Sequence, residues 1–106
     1  MINIKHIFLG GKMYSQVIVS YDIENNKLRK KLYDELKDIG LKPIQKSVFW
    51  GYLLVSEKRV VRTLLKKYCN DNDRGFIVDA VLDKNKENYV GYSEDDFMHP
   101  ESFEII

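Results

Sequence analysis

The sequence predicts an α+β domain whose elements run β-α-β-β-α-β. Two observations carry that expectation. Short segments dense in β-branched and aromatic residues alternate with two longer segments whose apolar residues recur with helical period. The chain has 106 residues, enough for one domain with a real core and too few for two.

The first strand is expected at residues 16–23, where Val17-Ile18-Val19-Ser20-Tyr21-Asp22-Ile23 is the most apolar short run. An unpaired carboxylate is costly inside a core, so a strand that closes on Asp22 points to a surface or a site. The polar loop Glu24-Asn25-Asn26 leads into a helix over residues 26–39, with Leu28, Leu32, Leu36 and Ile39 on one stripe. Gly40 then reads as its C-cap. Residues 43–50 and 52–55 read as two strands joined at Gly51. Ser56 is placed to cap a second helix over residues 57–68, whose apolar face is Val60, Val61, Leu64, Leu65 and Tyr68. Residues 70–74 are turn-like. The last strand of the domain is expected at residues 75–82, where Phe76, Val78, Ala80 and Leu82 alternate with Ile77, Asp79 and Val81.

This order is the ferredoxin-like, split βαβ arrangement. Two helices cover one face of a four-stranded antiparallel sheet, and the other face stays open to a second copy or to nucleic acid. The domain is expected to span residues 13–82, between an extension at 1–12 and a tail at 83–106. In that tail Tyr89-Val90-Gly91-Tyr92 and Phe103-Glu104-Ile105-Ile106 can each add a short strand, within the chain or to a partner. Asp95, Asp96 and His99 have too irregular a spacing for metal ligands and read as a solvated linker.

The formal net charge of +1 hides an asymmetry. Residues 1–82 carry 15 Lys and Arg against 9 Asp and Glu, whereas residues 83–106 carry 2 against 7. A basic body attracts phosphate backbones, although charge alone describes a solvated surface equally well. Cys69 is the single cysteine, so no intramolecular disulfide forms, and a reducing cytoplasm is the expected compartment. No apolar run approaches the roughly 20 residues that span a bilayer, so no membrane role is expected. Gly10-Gly11-Lys12-Met13 back-translates to a purine-rich stretch ahead of a start codon. Met13 is therefore expected as the initiator, and residues 1–12 as an over-extended reading frame. The alternative is an added strand through Ile4, Ile7, Phe8 and Leu9.

The second marked segment is Gln45-Lys46-Ser47-Val48-Phe49-Trp50-Gly51. It follows Val19-Ser20-Tyr21-Asp22-Ile23, then Leu28-Arg29-Lys30-Lys31-Leu32, then Gly40-Leu41. In this order and at these intervals the pieces resemble the CRISPR-associated endoribonucleases, the smaller of the two core spacer-acquisition proteins. The resemblance covers roughly residues 14–82.

The resemblance implies a homodimer of ferredoxin-like subunits with facing sheets. Asp22 of each subunit would meet its twin near the two-fold axis and share a Mg²⁺ or Mn²⁺ ion. Magnesium keeps several waters and needs only one or two carboxylates, so symmetry supplies what a lone Asp lacks. The implied chemistry is metal-assisted hydrolysis of a phosphodiester in RNA or DNA. Tyr21 would flank the metal ligand, and Ser47 and Phe49 would shape the cleft. Arg29, Lys30, Lys31 and Lys46 would meet phosphate. Some members carry a basic residue where this chain has Pro43, and Lys42 beside it would be the substitute. Each of these has a plainer reading: Tyr21 and Phe49 as packed aromatics, the cations as a solvated face, Ser47 as a partner of the backbone, and Asp22 as a helix cap. The partners implied are the larger adaptation integrase and protospacer DNA, with the protein as scaffold. Two other readings stay open, a stand-alone ribonuclease toxin of similar fold and a non-catalytic ferredoxin-like binding module.

Overall fold

The computed structural model describes residues 6–83, 85–93 and 96, with strand backbone at 104–105. Its centre is a long strand, β2 (Lys12–Asp22), flanked by a short N-terminal strand, β1 (His6–Leu9). Helix α1 (Asn26–Ile39), strands β3 (Lys42–Gln45) and β4 (Val48–Leu53), helix α2 (Val55–Tyr68) and strand β5 (Arg74–Asp79) follow. A two-residue strand, β6 (Glu104–Ile105), closes the described part. The sequence expectation of a β-α-β-β-α-β, ferredoxin-like α+β fold is met by β2 to β5, and every pairing is antiparallel. No helix of the described residues is long and apolar enough to cross a membrane.

Strand β2 pairs with β4 along one edge, from Ser15↔Leu53 to Ser20↔Val48. Its other edge is divided. Residues 12–15 pair with β1, and residues 17–22 pair with β5. The β1–β2 hairpin turns on Gly10 and Gly11, both at positive φ (57° and 76°), which a two-residue hairpin of this hand needs at both positions. Ile7, Phe8 and Leu9 of the added strand offered above lie in β1, and Ile4 lies outside the described residues. β1 also pairs with β6, through Ile7↔Ile105 and Phe8↔Glu104.

Alternation along β2 sends Val17, Val19 and Tyr21 toward the helices, where they are buried with Phe49 and Leu53 of β4. Leu32 and Leu36 of α1 and Val61, Leu64, Leu65 and Tyr68 of α2 complete this core. α1 has the bounds that its pattern predicts. Asn25 accepts from the backbone N–H of Lys27 and Leu28 (2.9 and 3.0 Å), and Gly40 closes it in the left-handed region at φ 106°.

Four expectations need correction. The β3–β4 turn lies at Lys46-Ser47, not Gly51, which is buried inside β4. A Cβ there would stand 2.9 Å from Leu41 Cδ2, so the glycine admits a neighbour rather than turning the chain. α2 starts at Val55, with Glu57 accepting from the Leu54 N–H (2.8 Å), so Ser56 lies inside the helix and is not its cap. Val60 is 46% exposed and outside the apolar face. Strand β5 ends at Asp79 because the chain then leaves the ladder for the side chain of Gln16.

That departure covers part of the sheet's second face. The Ala80 N–H still reaches the Gln16 carbonyl (3.0 Å), but the Leu82 N–H donates to Gln16 Oε1 (2.8 Å). Trp50 Nε1 donates to the same oxygen (2.8 Å), and Gln16 Nε2 donates to the Tyr52 hydroxyl (3.1 Å). Farther on, the Tyr92 hydroxyl donates to the Ile44 carbonyl (2.8 Å), and Asp96 meets Lys42 at 3.4 Å. The segment after β5 therefore crosses from the β5 side to β3 over Gln16 and Trp50, which are 1% and 4% exposed. It does so as a single 3₁₀ turn (Lys86–Asn88) and irregular chain, without the strand expected at 89–92. Asp95 and His99 lie outside the described residues. The rest of that face remains open, with Phe76 and Val78 51% and 44% exposed.

Candidate active site

Strand β2 reaches beyond β4 at its C-terminal end. The last β4 contact is the Tyr21 N–H on the Ser47 carbonyl (3.1 Å), whereas pairing with β5 continues to Asp22↔Arg74. Alternation then points consecutive side chains to opposite faces. Tyr21 goes into the core, and Asp22 goes to the open face. Asp22 is exposed, and among the described residues no hydrogen bond or ion pair holds its carboxylate.

Tyr21 is 4% exposed and stacks on Phe49, with centroids 6.2 Å apart. Phe49 in turn meets Tyr33 edge to face at 5.2 Å. The Tyr21 hydroxyl is buried and has no hydrogen-bond partner among the described residues. Burial, with Tyr33 adding to it and Arg29 opposing, pushes the phenol up to about 12. At neutral pH it is therefore an O–H donor and not a base.

A shallow cleft opens beside Asp22. Tyr21, Asp22, Arg29, Lys30, Lys46 and Ser47 line it, six of the nine residues singled out in the sequence. The other three sit elsewhere. Phe49 is fully buried beneath the cleft. Lys31 is exposed on α1 outside the lining, and Lys42 is on β3, paired with Asp96. Within the cleft the cations differ in their freedom. Arg29 is committed to the β2–α1 loop: its guanidinium donates to the Ile23 carbonyl (2.9 Å), the Glu24 carbonyl (3.4 Å) and the Asn26 side chain. Lys30 pairs with Asp34 one turn along α1 (3.1 Å). Lys46 is exposed at the β3–β4 turn.

Two residues that sequence reasoning passed over organise this end of the sheet. The Asp73 carboxylate accepts from the Glu24 N–H (3.1 Å) and the Asn70 N–H (2.8 Å), tying the loop after β2 to the loop before β5. Arg74 follows it and faces Asp22 across the ladder. Neither has a local signal, since both roles depend on register between distant strands.

Among the described residues no three His, Cys, Asp or Glu side chains gather closely enough to hold a metal ion. A carboxylate that is exposed and, among the described residues, without a partner does fit a hydrated Mg²⁺, which keeps several waters and takes only one or two carboxylates.

The sequence profile of "CRISPR associated protein Cas2" matches residues 13–88, from the start of β2's long run through β5. The chain belongs to the Cas2 family. It is 34% identical over 87 residues to a protein of Francisella tularensis subsp. novicida named CRISPR-associated endoribonuclease Cas2 1, covering 81% of this chain and 90% of that one. It is 40% identical over 58 residues to CRISPR-associated endoribonuclease Cas2 of Korarchaeum cryptofilum, covering 55% and 60%. The crystal structure of Streptococcus pyogenes Cas2 at pH 6.5 superposes with a TM-score of 0.55 at 21% identity, covering 74% of this chain and 98% of that one. That likeness is one of fold. Strand β1 and the segment beyond residue 88 lie outside the Cas2 match.

Proposed function

We propose that this Cas2-family protein acts in CRISPR spacer acquisition as a homodimer with facing sheets. In this reading it bridges the larger adaptation integrase and holds protospacer DNA. It also carries a metal-dependent endonuclease centre for RNA or DNA phosphodiesters, built from Asp22 of both subunits. The observation that carries the reading is Asp22 itself, a carboxylate that is exposed and, among the described residues, unpartnered, with Lys30 and Lys46 lining the cleft beside it. The names of the relatives as endoribonucleases support the reaction class. The apolar exposure of Phe76 and Val78 on the same face supports a second copy as its cover.

A bound magnesium or manganese ion would supply an acidified water and offset charge on the phosphodiester. The chain's own residues do the rest. Asp22 provides the anionic ligand. The Phe49 ring, itself packed on Tyr33, fixes Tyr21 behind it, and the buried Tyr21 phenol stays protonated. Arg29 fixes the loop from which α1 starts, so that Lys30 borders the cleft.

The test is a cleavage and integration assay on Asp22→Ala, with Mg²⁺ present and absent. Cleavage should be lost, and the dimer should stay folded with a stability change within about 0.5 kcal/mol, as for an exposed residue. Full metal-dependent cleavage in that variant refutes the assignment. Integration that survives in it assigns the protein a scaffold role without nuclease chemistry.

A further inference from the structure

We propose that Arg74 is the guanidinium that grips the nucleic-acid phosphate at this site, where the helix arginine Arg29 is already engaged with the β2–α1 loop. The inference rests on the reading of Asp22 as the metal-bearing carboxylate. Arg74 is the direct cross-strand partner of Asp22, so the two side chains rise from the same open face. Directly opposed residues in an antiparallel pair have Cβ atoms only about 4.5–5.5 Å apart. Opposite charges so placed usually pair. Here Arg74 is exposed, and among the described residues it makes no hydrogen bond or ion pair, with Asp22 or any other group.

Its five N–H donors therefore stay available in a fork that matches two phosphate oxygens. Arg29 already directs both of its terminal nitrogens at the chain's own oxygens, two carbonyls and an amide oxygen. The backbone beneath Arg74 is fixed as well. Asp73 is anchored by two backbone N–H groups, and a Cβ on Gly75 would meet Leu65 Cδ2 at 2.8 Å, so the start of β5 sits tightly against α2. A phosphodiester that reaches the paired Asp22 carboxylates at the seam of the proposed dimer meets an unspent guanidinium one strand away, carried on a fixed backbone. The contact is to phosphate alone, so it is the same for RNA and DNA.

The experiment measures binding of a short labelled single-stranded RNA and of a short labelled DNA duplex at several salt concentrations. It compares the unmodified protein with Arg74→Ala, Arg74→Lys and Arg62→Ala. Arg62 is exposed on α2 and removes the same charge away from the site. Arg74→Ala should weaken whichever probe binds by about tenfold or more. It should also flatten the salt dependence by about one unit of slope, the share of one phosphate contact. Arg74→Lys should restore the slope while leaving a deficit in affinity, because the charge returns without the fork. Mn²⁺ binding measured alone should be no weaker in Arg74→Ala than in the unmodified protein.

An Arg74→Ala protein with unchanged affinity and slope overturns the proposal and leaves the reading of Asp22 standing. Equal losses in Arg62→Ala overturn it too, since the effect is then one of net charge. If Arg74→Ala binds Mn²⁺ more tightly while its nucleic-acid binding is unchanged, Arg74 tunes the metal site and does not grip phosphate. Failure of the unmodified protein to bind either probe defeats the parent reading and this one with it.

Discussion

Replacing Phe49 by Ala separates a residue that acts in the cleft from one that supports it. The ring is fully buried, with Tyr21 at 6.2 Å on one side and Tyr33 at 5.2 Å on the other. Truncating such a ring costs about 3–5 kcal/mol, through lost transfer energy and the cavity left behind. The two aromatic contacts, about 0.5–1.5 kcal/mol each, are contained in that figure. Domains of this kind are stable by about 5–15 kcal/mol, so the change removes about a fifth of the margin or more. With a urea slope near 2 kcal/mol per molar, the unfolding midpoint should fall by about 2 M. Phe49→Leu keeps an apolar group in the cavity and should cost about 1–2 kcal/mol. The assay is urea unfolding followed by circular dichroism, run beside nucleic-acid binding on the folded fraction. Binding should fall in Phe49→Ala only as far as the folded fraction falls, and Phe49→Leu should bind nearly normally. An unchanged midpoint in Phe49→Ala together with lost binding would place the ring at the surface and refute this account.

Gly75→Ala should cost about 1 kcal/mol or more, because the added Cβ would lie 2.8 Å from Leu65 Cδ2 and 3.3 Å from Cys69 Sγ, and Leu65 is itself buried. Calorimetry should show a melting temperature lower by several degrees, and an unchanged one would mean that the gap is wider than the structure shows. Burial pushes Tyr21 and Tyr52 up to about 12 from an ordinary 10. A folded value above the unfolded one means that their contribution is complete below about pH 10 and is lost as pH rises toward about 12, at most about 2–3 kcal/mol for each. Ultraviolet titration should show these phenols ionising late and together with unfolding, and ionisation near pH 10 in a still-folded protein would contradict it. Gln16→Ala removes the acceptor for the Trp50 and Leu82 N–H groups and should cost about 2 kcal/mol. Hydrogen exchange should quicken around residues 80–83, and unchanged protection there would show that the crossing segment is held by other contacts.

What could be read from the sequence was what depends on near neighbours. α1 was legible to the residue from its stripe and Gly40, which lie within one stretch of chain, whereas its cap is Asn25, read only as part of a polar loop, and not Asp22. Asp22 was legible as a carboxylate at a strand end, because alternation decides its face. Gly51 was misread as a turn because its reason is the approach of Leu41 from ten residues away, which no local pattern records. Arg29 looked like a free cation, and only folding brings the Ile23 and Glu24 carbonyls to it. Lys42 was drawn off by Asp96, 54 residues later. Arg74 was overlooked because its relation to Asp22 exists only through antiparallel register across 52 residues. The path after Asp79 was missed for the same reason, since it is set by the amide of Gln16.

The crossing chain over Gln16 and Trp50 has a steric consequence. It roofs one end of the second face and leaves bare the end that carries Ser20, Asp22 and Phe76. Anything laid flat on that surface must sit eccentrically, displaced toward the carboxylate. In the proposed dimer such displacement would draw the rotation axis to the edge where Asp22 stands, so the roof would help to decide where the two halves come together.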